Sequence, residues 1–336
     1  MEKPEKPNPV AQDFVVEAAA EGERLDRWLA GQLGGSASRT LVQRWIDSGH
    51  VRLVSDTSDA LEDPAPRLTP RRKVLGGENY HLQVPDPEPQ KLEPIDLQLE
   101  VLYEDADCAI IRKPPGIAVH PGPGDSQVTI AHGILHLFGP RLLDPGAADP
   151  RLALRPGIVH RLDKDTEGLL LVAQHDRARR ELMQLFASRS VRKEYLAIVS
   201  GQLPRESGRI ELALRRHPRE RLRMQVHSEG RMAITEFEVQ HAWTGGRTDR
   251  KYLRVHVELL TGRTHQIRVH LAHLGAAVVG DRLYSRRAAD YNEESVGMLL
   301  CARRLAFQQP LSGATIDVEL PLPDRFANFE EQARRY

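Results

Sequence analysis

Little in this chain of 336 residues points to a membrane, a disulfide or a bound metal. Its two cysteines, Cys108 and Cys301, stand far apart without CxxC spacing. Neither a disulfide framework nor a zinc site is therefore expected, and a reducing, cytoplasmic setting follows. No apolar run approaches the roughly 20 residues needed to span a bilayer. The opening MEKPEKPNPVAQ lacks the cationic start and apolar stretch of a secretory signal and reads as a disordered leader over residues 1–14. Aromatic residues make up only 5% of the chain, a composition poorly suited to gripping a sugar polymer.

Several catalytic signatures are missing as well. No GxGxxG opens a strand-to-helix turn, and VLGGEN is neither that fingerprint nor a phosphate loop, so no nucleotide cofactor is expected. His265, His270 and His273 lack the HExxH pattern and do not share one helical stripe, which argues against a metal. There is no GxSxG elbow for a serine hydrolase.

What is present is charge, unevenly distributed. The net charge is zero, yet residues 85–107 are seven net negative and residues 209–223 four net positive. The positive stretch holds Arg215, Arg216, Arg219, Arg221 and Arg223 and fits either a phosphate-binding stripe or a solvated loop. Near the start, Leu25, Trp28, Leu29 and Leu33 fall on one helical face. Ser38 then caps a second helix, on which Leu41, Val42, Trp45 and Ile46 share a face and after which Gly49 ends the run. Arg39 and Arg44 are expected on its outer side. Prolines at 85, 87, 89 and 94 mark a linker over 85–96, separating a small domain at 15–84 from a large one at 97–336. In the large domain strand-like stretches outnumber helical ones and often arrive in succession. An α+β domain with a mixed, largely antiparallel sheet is expected.

The stretch VHRLDKDTEGLLLVA, residues 159–173, joins a charged loop to an unbroken apolar run. Asp163 lies in that loop at a sheet edge, a usual place for catalytic groups, though on local sequence alone an aspartate capping a turn or pairing with Arg161 is the stronger reading. At neutral pH it is ionised and needs only a fixed orientation, which an arginine supplies by a bidentate contact. In TGRTHQIRVHLAHLG a helix starting near Thr264 puts Ile267, Leu271 and Leu274 on its apolar face and leaves Arg263, His265 and Arg268 toward its N-terminal end. There Arg268 could bind an anion or brace a backbone carbonyl. Asp163 with Glu167 would also suit a glycoside hydrolase, since paired carboxylates define that chemistry.

Taken together, IIRKPPGIAVHPGPG, RPGIVHRLDKDTEGLLLVA, RKEYLAIVSG and LLTGRTHQIRVHLAHLGAAVVGDRLY closely resemble the motifs of the pseudouridine synthases of large-subunit ribosomal RNA, the RluA/RluD type. The N-terminal pair of short helices followed by strands resembles the S4-type RNA-binding module of the RluD-like members. The resemblance implies a uridine isomerase that needs no cofactor, acts on RNA and works with Asp163 as the essential residue, as nucleophile or base. It also implies Tyr195 against the uracil, Arg268 paired with Asp163, and Arg161 filling the gap left by an extracted nucleotide. Arg39, Arg44, Arg215, Arg216, Arg219, Arg221, Arg263 and His265 are expected to meet RNA. A tRNA target, or a non-catalytic ribosome-assembly factor that keeps the fold, are the rival readings, and a monomer is the expected state. Two positions depart from the resemblance. Glu167 stands where the family commonly has Ser or Thr, and Cys301 where it usually has His. Asp165 and Glu167 are expected as turn and surface residues.

Overall fold

The computed structural model describes residues 11–34, 37, 39–54, 68–84, 92–122, 127–142, 155–245, 250–285 and 296–335. The chain divides into two compact units, Met1–Gln90 and Lys91–Tyr336. The division falls inside the expected linker. Residues 85–91 of that linker lie outside the described residues, whereas Ile95 donates its N–H to the His132 carbonyl and so is tied to the larger unit.

In the first unit helices α1 (Leu25–Gln32) and α2 (Arg39–Asp47) pack on a three-stranded antiparallel sheet of order β1 (Ala11–Val15), β3 (Asn79–Gln83), β2 (Val51–Val54). β1 corrects the expected leader, because residues 11–14 pair with β3 from Ala11 opposite Gln83 to Phe14 opposite Tyr80. Ser38, the expected cap, lies outside the described residues. Leu25, Trp28, Leu29, Val42 and Ile46 form the core with Tyr80 and Leu82, as their spacing requires, whereas Leu41 is exposed. Arg39 is not simply an outward cation. Its guanidinium pairs with Asp26, a fully buried carboxylate that also accepts from Arg24 and Gln43. Burial alone would raise the Asp26 pKa, but these bonds outweigh it and hold the carboxyl well below its usual range.

The second unit is built on an eleven-stranded sheet. Its main path runs β4 (Glu100–Glu104), β5 (Cys108–Lys113), β6 (Glu167–Ala173), β13 (Leu300–Gln308), β7 (Arg192–Gly201), β11 (Arg250–Leu259), β10 (Arg231–Gly245), β8 (Ser207–Arg216) and β9 (Met224–Val226). Two short strands, β12 (Ala276–Val278) and β14 (Thr315–Glu319), pair with β7 and β13. Among the described residues only β6 and β13 run parallel, so the sheet is mixed and largely antiparallel. Four helices accompany it among the described residues: α3 (Ile130–Leu142), α4 (Asp176–Ala187), α5 (Gln266–His273) and α6 (Asp324–Arg335).

The apolar run after the charged loop follows from the position of β6, which is buried at every residue. Leu170 and Val172 enter one hydrophobic cluster, with α3 and α5, while Leu169 and Leu171 enter another, with α4 and α6. A strand covered on both faces has no polar side to alternate with. At its start Gly168 has φ 117°, and a Cβ there would overlap the Ala302 carbonyl oxygen of β13. Glycine is required at this point by both backbone conformation and space.

Candidate active site

Asp163 stands in the loop that enters β6, with its carboxylate 18% exposed. Arg268, on α5, donates from Nη1 to Asp163 Oδ2 at 3.0 Å. Its other edge makes a bidentate contact with Asp281, Nε to Oδ2 at 2.7 Å and Nη2 to Oδ1 at 2.8 Å. Asp281 is fully buried, and its Oδ1 also accepts the N–H groups of Leu283 and Tyr284. Burial alone would make Arg268 easier to deprotonate, but the bonds and charge of Asp281, with Asp163, raise its pKa. One planar fork is thus fixed by a buried acid on one edge and presents a donor to Asp163 on the other.

His265 flanks the same carboxylate, with Nε2 3.9 Å from Asp163 Oδ1. It precedes α5 in a left-handed conformation, φ 54°, so the helix begins at Gln266 rather than near Thr264. Tyr284 Oη accepts the Met224 N–H at 2.7 Å and lies 2.8 Å from His265 Nδ1. The tyrosine hydroxyl thus holds the ring at Nδ1 and leaves Nε2 on the side of Asp163. Burial, and secondarily the neighbouring Arg268 charge, lower the His265 pKa against the pull of Asp163 and keep the ring neutral. The Tyr284 ring lies between two guanidinium groups, Arg268 at 5.1 Å and Arg223 at 5.5 Å from its centroid.

Tyr195, on β7, lines the same cleft of about 420 Å³ as Asp163, Arg161, Arg263, His265 and Arg268. It is 8% exposed, and burial followed by the Asp163 charge raises its pKa, so it is a phenol at neutral pH. Beneath the loop Lys113 is fully buried, and its ammonium donates to three carbonyls: Thr166 at 2.7 Å, Lys164 at 2.8 Å and Pro114 at 2.9 Å. Those bonds fix the backbone on either side of Asp165 and hold the loop's exit into β6.

A carboxylate oriented by an arginine and sharing a cleft with a phenol is suited to attack or proton removal on a bound substrate. A family model described as RNA pseudouridylate synthase matches residues 107–273. The ribosomal large subunit pseudouridine synthase D of Xylella fastidiosa is 36% identical over 326 residues, covering 94% of this chain and 90% of the relative. Its counterpart in Escherichia coli K12 is 32% identical, covering 93% and 91%. Among solved structures, human RNA pseudouridylate synthase domain containing 1 shares the fold with a TM-score of 0.53 at 26% identity, covering 69% of this chain and 86% of that one. This chain belongs to the RNA pseudouridine synthase family.

In this pseudouridine synthase the acid, phenol and arginine expected from the motifs come together, and Arg263 and His265 join them. Arg161 is exposed at the mouth, 3.5 Å from His120 Nε2. The arginines of 215–223 are borne by β8 and the turn into β9, next to Tyr284, and several are already engaged. Arg215 pairs with Glu229, Arg223 with Glu220, and Arg216 donates to the Arg221 carbonyl. Arg39 and Arg44 lie in the first unit and are not part of this cleft.

Glu167 corrects the surface expectation. It is 6% exposed, its Oε1 accepts from Arg325 of α6, and it does not line the cleft. The carboxylate pair of a glycoside hydrolase is therefore not assembled. Asp165 is exposed in the turn as expected. Lys113, Asp281 and Tyr284 were missed as site residues. Each lay within a quoted motif, RKPPG or GDRLY, but none had a local feature to show that it reaches the loop or Arg268.

Proposed function

We propose that this protein isomerises uridines of large-subunit ribosomal RNA to pseudouridine, with Asp163 as the reacting acid. The observation that carries this reading is the Asp163–Arg268–Asp281 chain of hydrogen bonds opening on the cleft that also holds Tyr195. The large-subunit target rests on the relatives named ribosomal large subunit pseudouridine synthase D. In the reaction the bond from ribose C1′ to N1 of uracil breaks, the base turns, and C5 bonds to C1′. C5 loses its proton and N1 gains one, so the product is an isomer. Asp163, ionised and fixed by Arg268, either attacks C1′ or removes the C2′ proton, and the same oxygen serves both routes. Tyr195 stacks on the freed uracil, an interaction worth about 1–3 kcal/mol, and keeps it in place while it turns.

A uridine inside folded RNA must leave its stack first, at a cost of a few kcal/mol. Arg161, exposed at the mouth, would occupy the gap. The arginines of 215–223, with Arg263, would hold phosphates, and the first unit would act as an S4-type module adding Arg44 and the exposed edge of Arg39 to the footprint. The working species in this reading is a monomer.

The experiment follows tritium released from C5 of labelled uridine in ribosomal RNA. Asp163→Asn should release none while binding RNA nearly as well as the unaltered protein, because the change removes charge and keeps shape. Release at the unaltered rate would end the assignment. Mapping pseudouridines in ribosomal RNA and tRNA from cells lacking the protein separates the two targets.

A further inference from the structure

The cleft has a second wall that the reaction leaves unused, formed by Phe186, Ala187, Arg189 and Lys193. Lys193 lies two residues before Tyr195 on β7, so both side chains leave the same face of the strand, about 6.6 Å apart along it. That spacing is comparable to the reach of a nucleotide from its base to its phosphate. Lys193 is 7% exposed and makes no hydrogen bond or ion pair among the described residues. Its ammonium stands 5.9 Å from the centroid of Phe186, which stacks on His160 at 4.4 Å. Burial and then the Lys193 charge push His160 down to about 3, so this ring is neutral and adds no competing cation.

Arg189 completes the wall. It is exposed, forms no ion pair among the described residues, and sits in the left-handed region at φ 63°. Its N–H bonds the Phe186 carbonyl at 3.2 Å, which fixes this unusual conformation just after α4. A non-glycine residue held there is a local strain that the surrounding structure sustains. The carboxylate whose charge acts on Lys193 is that of Glu258, which is already engaged by Arg192 at 3.4 Å. Burying an ammonium that has an aromatic ring but no carboxylate in contact is costly, and the Arg189 charge adds repulsion at the same ammonium. A cleft wall of this kind is complete only when an anion enters it.

We propose that Lys193 and Arg189 form a phosphate subsite that holds the phosphodiester adjoining the uridine whose base lies against Tyr195. The assignment of the phosphate to a substrate strand rests on the function proposed above; the subsite itself rests on Lys193, Arg189 and their spacing from Tyr195. It gives the flipped nucleotide a second anchor, so the sugar stays in register with Asp163 after its bond to the base has broken.

Calorimetric titration with uridine, uridine 3′-monophosphate and uridine 5′-monophosphate tests this without turnover. One monophosphate should bind about tenfold tighter than uridine, the effect of one charge-assisted contact, and the preferred isomer identifies which phosphate is held. Lys193→Met should bring that monophosphate down to the affinity of uridine, while Lys193→Arg should restore part of the preference. Arg189→Gln, at an exposed position, should reduce the preference without a burden on folding. Equal binding of all three ligands by the unaltered protein, or an undiminished preference in both Lys193→Met and Arg189→Gln, overturns the subsite. Failure of the functional reading shows separately, as absence of tritium release from RNA in the unaltered protein.

Discussion

Glu167 and Cys301 sit opposite each other across the parallel pair of β6 and β13, and Arg325 reaches Glu167 from the C-terminal helix. Cys301 is fully buried, and burial followed by the Glu167 charge pushes its thiol up to about 12. The two positions therefore share one buried environment. Glu167 is a buried acid paired with an arginine from α6, and the facing position carries a small thiol.

This pairing predicts a coupled set of stabilities. Arg325→Met should cost about 3–5 kcal/mol, because it strands a buried carboxylate. Glu167→Ser should cost less, about 1–2 kcal/mol, since Arg325 is partly exposed and can turn to water. Cys301→His should cost about 1–3 kcal/mol through overpacking, and distinctly less when combined with Glu167→Ser. Urea unfolding of the four proteins gives the coupling. A Cys301→His penalty unchanged in both backgrounds would contradict it.

Arg268 spans Asp163 and Asp281 with one rigid fork, and a lysine is a point charge without that geometry. Arg268→Lys should lower kcat by about 100-fold to 1000-fold, in the range found when one preorganised donor is removed from a reacting site. Asp281→Asn should lower kcat while leaving KM for RNA nearly unchanged, because Asp281 acts on Arg268 rather than on the substrate. Steady-state kinetics on a ribosomal RNA transcript separates the two parameters.

Lys113 makes the loop sensitive to alkali. Burial pulls its pKa down from 10.5 to about 8, against the charges of Asp165, Asp163 and Glu167. Three carbonyls need three N–H donors, and the neutral amine has only two. Activity should fall as pH rises above about 8, beyond any loss seen with Lys113→Met, which should already be about 100-fold slower through a misplaced loop. Stability follows the opposite sign. Between about 8 and 10.5 the unfolded chain holds more protons at this lysine than the folded one, so the penalty for its burial is relieved as pH rises. A pH profile identical in shape for both proteins would refute the role.

Tyr284 joins the arginine-bearing turn of 217–223 to His265 by a single hydroxyl. Tyr284→Phe keeps the ring between Arg268 and Arg223 but strands the Met224 N–H and frees His265 to rotate. A loss of about tenfold in kcat/KM is expected, matching one hydrogen bond of about 1.4 kcal/mol. Tyr284→Leu should lose more, since the ring contacts go as well. Comparing the two variants separates hydroxyl from ring.

The sheet was readable because its strands are consecutive and strongly patterned, and β6 announced itself by an apolar run with no polar face. Asp163 and Arg268 were legible through their motifs. Asp281 was not, because a buried aspartate 13 residues from its arginine has the same local sequence as an ordinary turn residue. Glu167 was misread for a related reason. Its neutralising partner is 158 residues away, and nothing near it reveals that the strand edge is covered by a helix. Residues 11–14 were lost to the prolines and charges just before them, and their pairing partners lie 66 to 72 residues further on, from Phe14 with Tyr80 to Ala11 with Gln83.

Gly168 gives the loop its tolerance. Here the chain meets β13 backbone against backbone, with no side chain between them to set the separation. The position of Asp163 is therefore referenced to main-chain atoms that every sequence of this fold possesses. The side chains beside it, those of Glu167 and Cys301 included, can vary while the loop that carries Asp163 keeps its course.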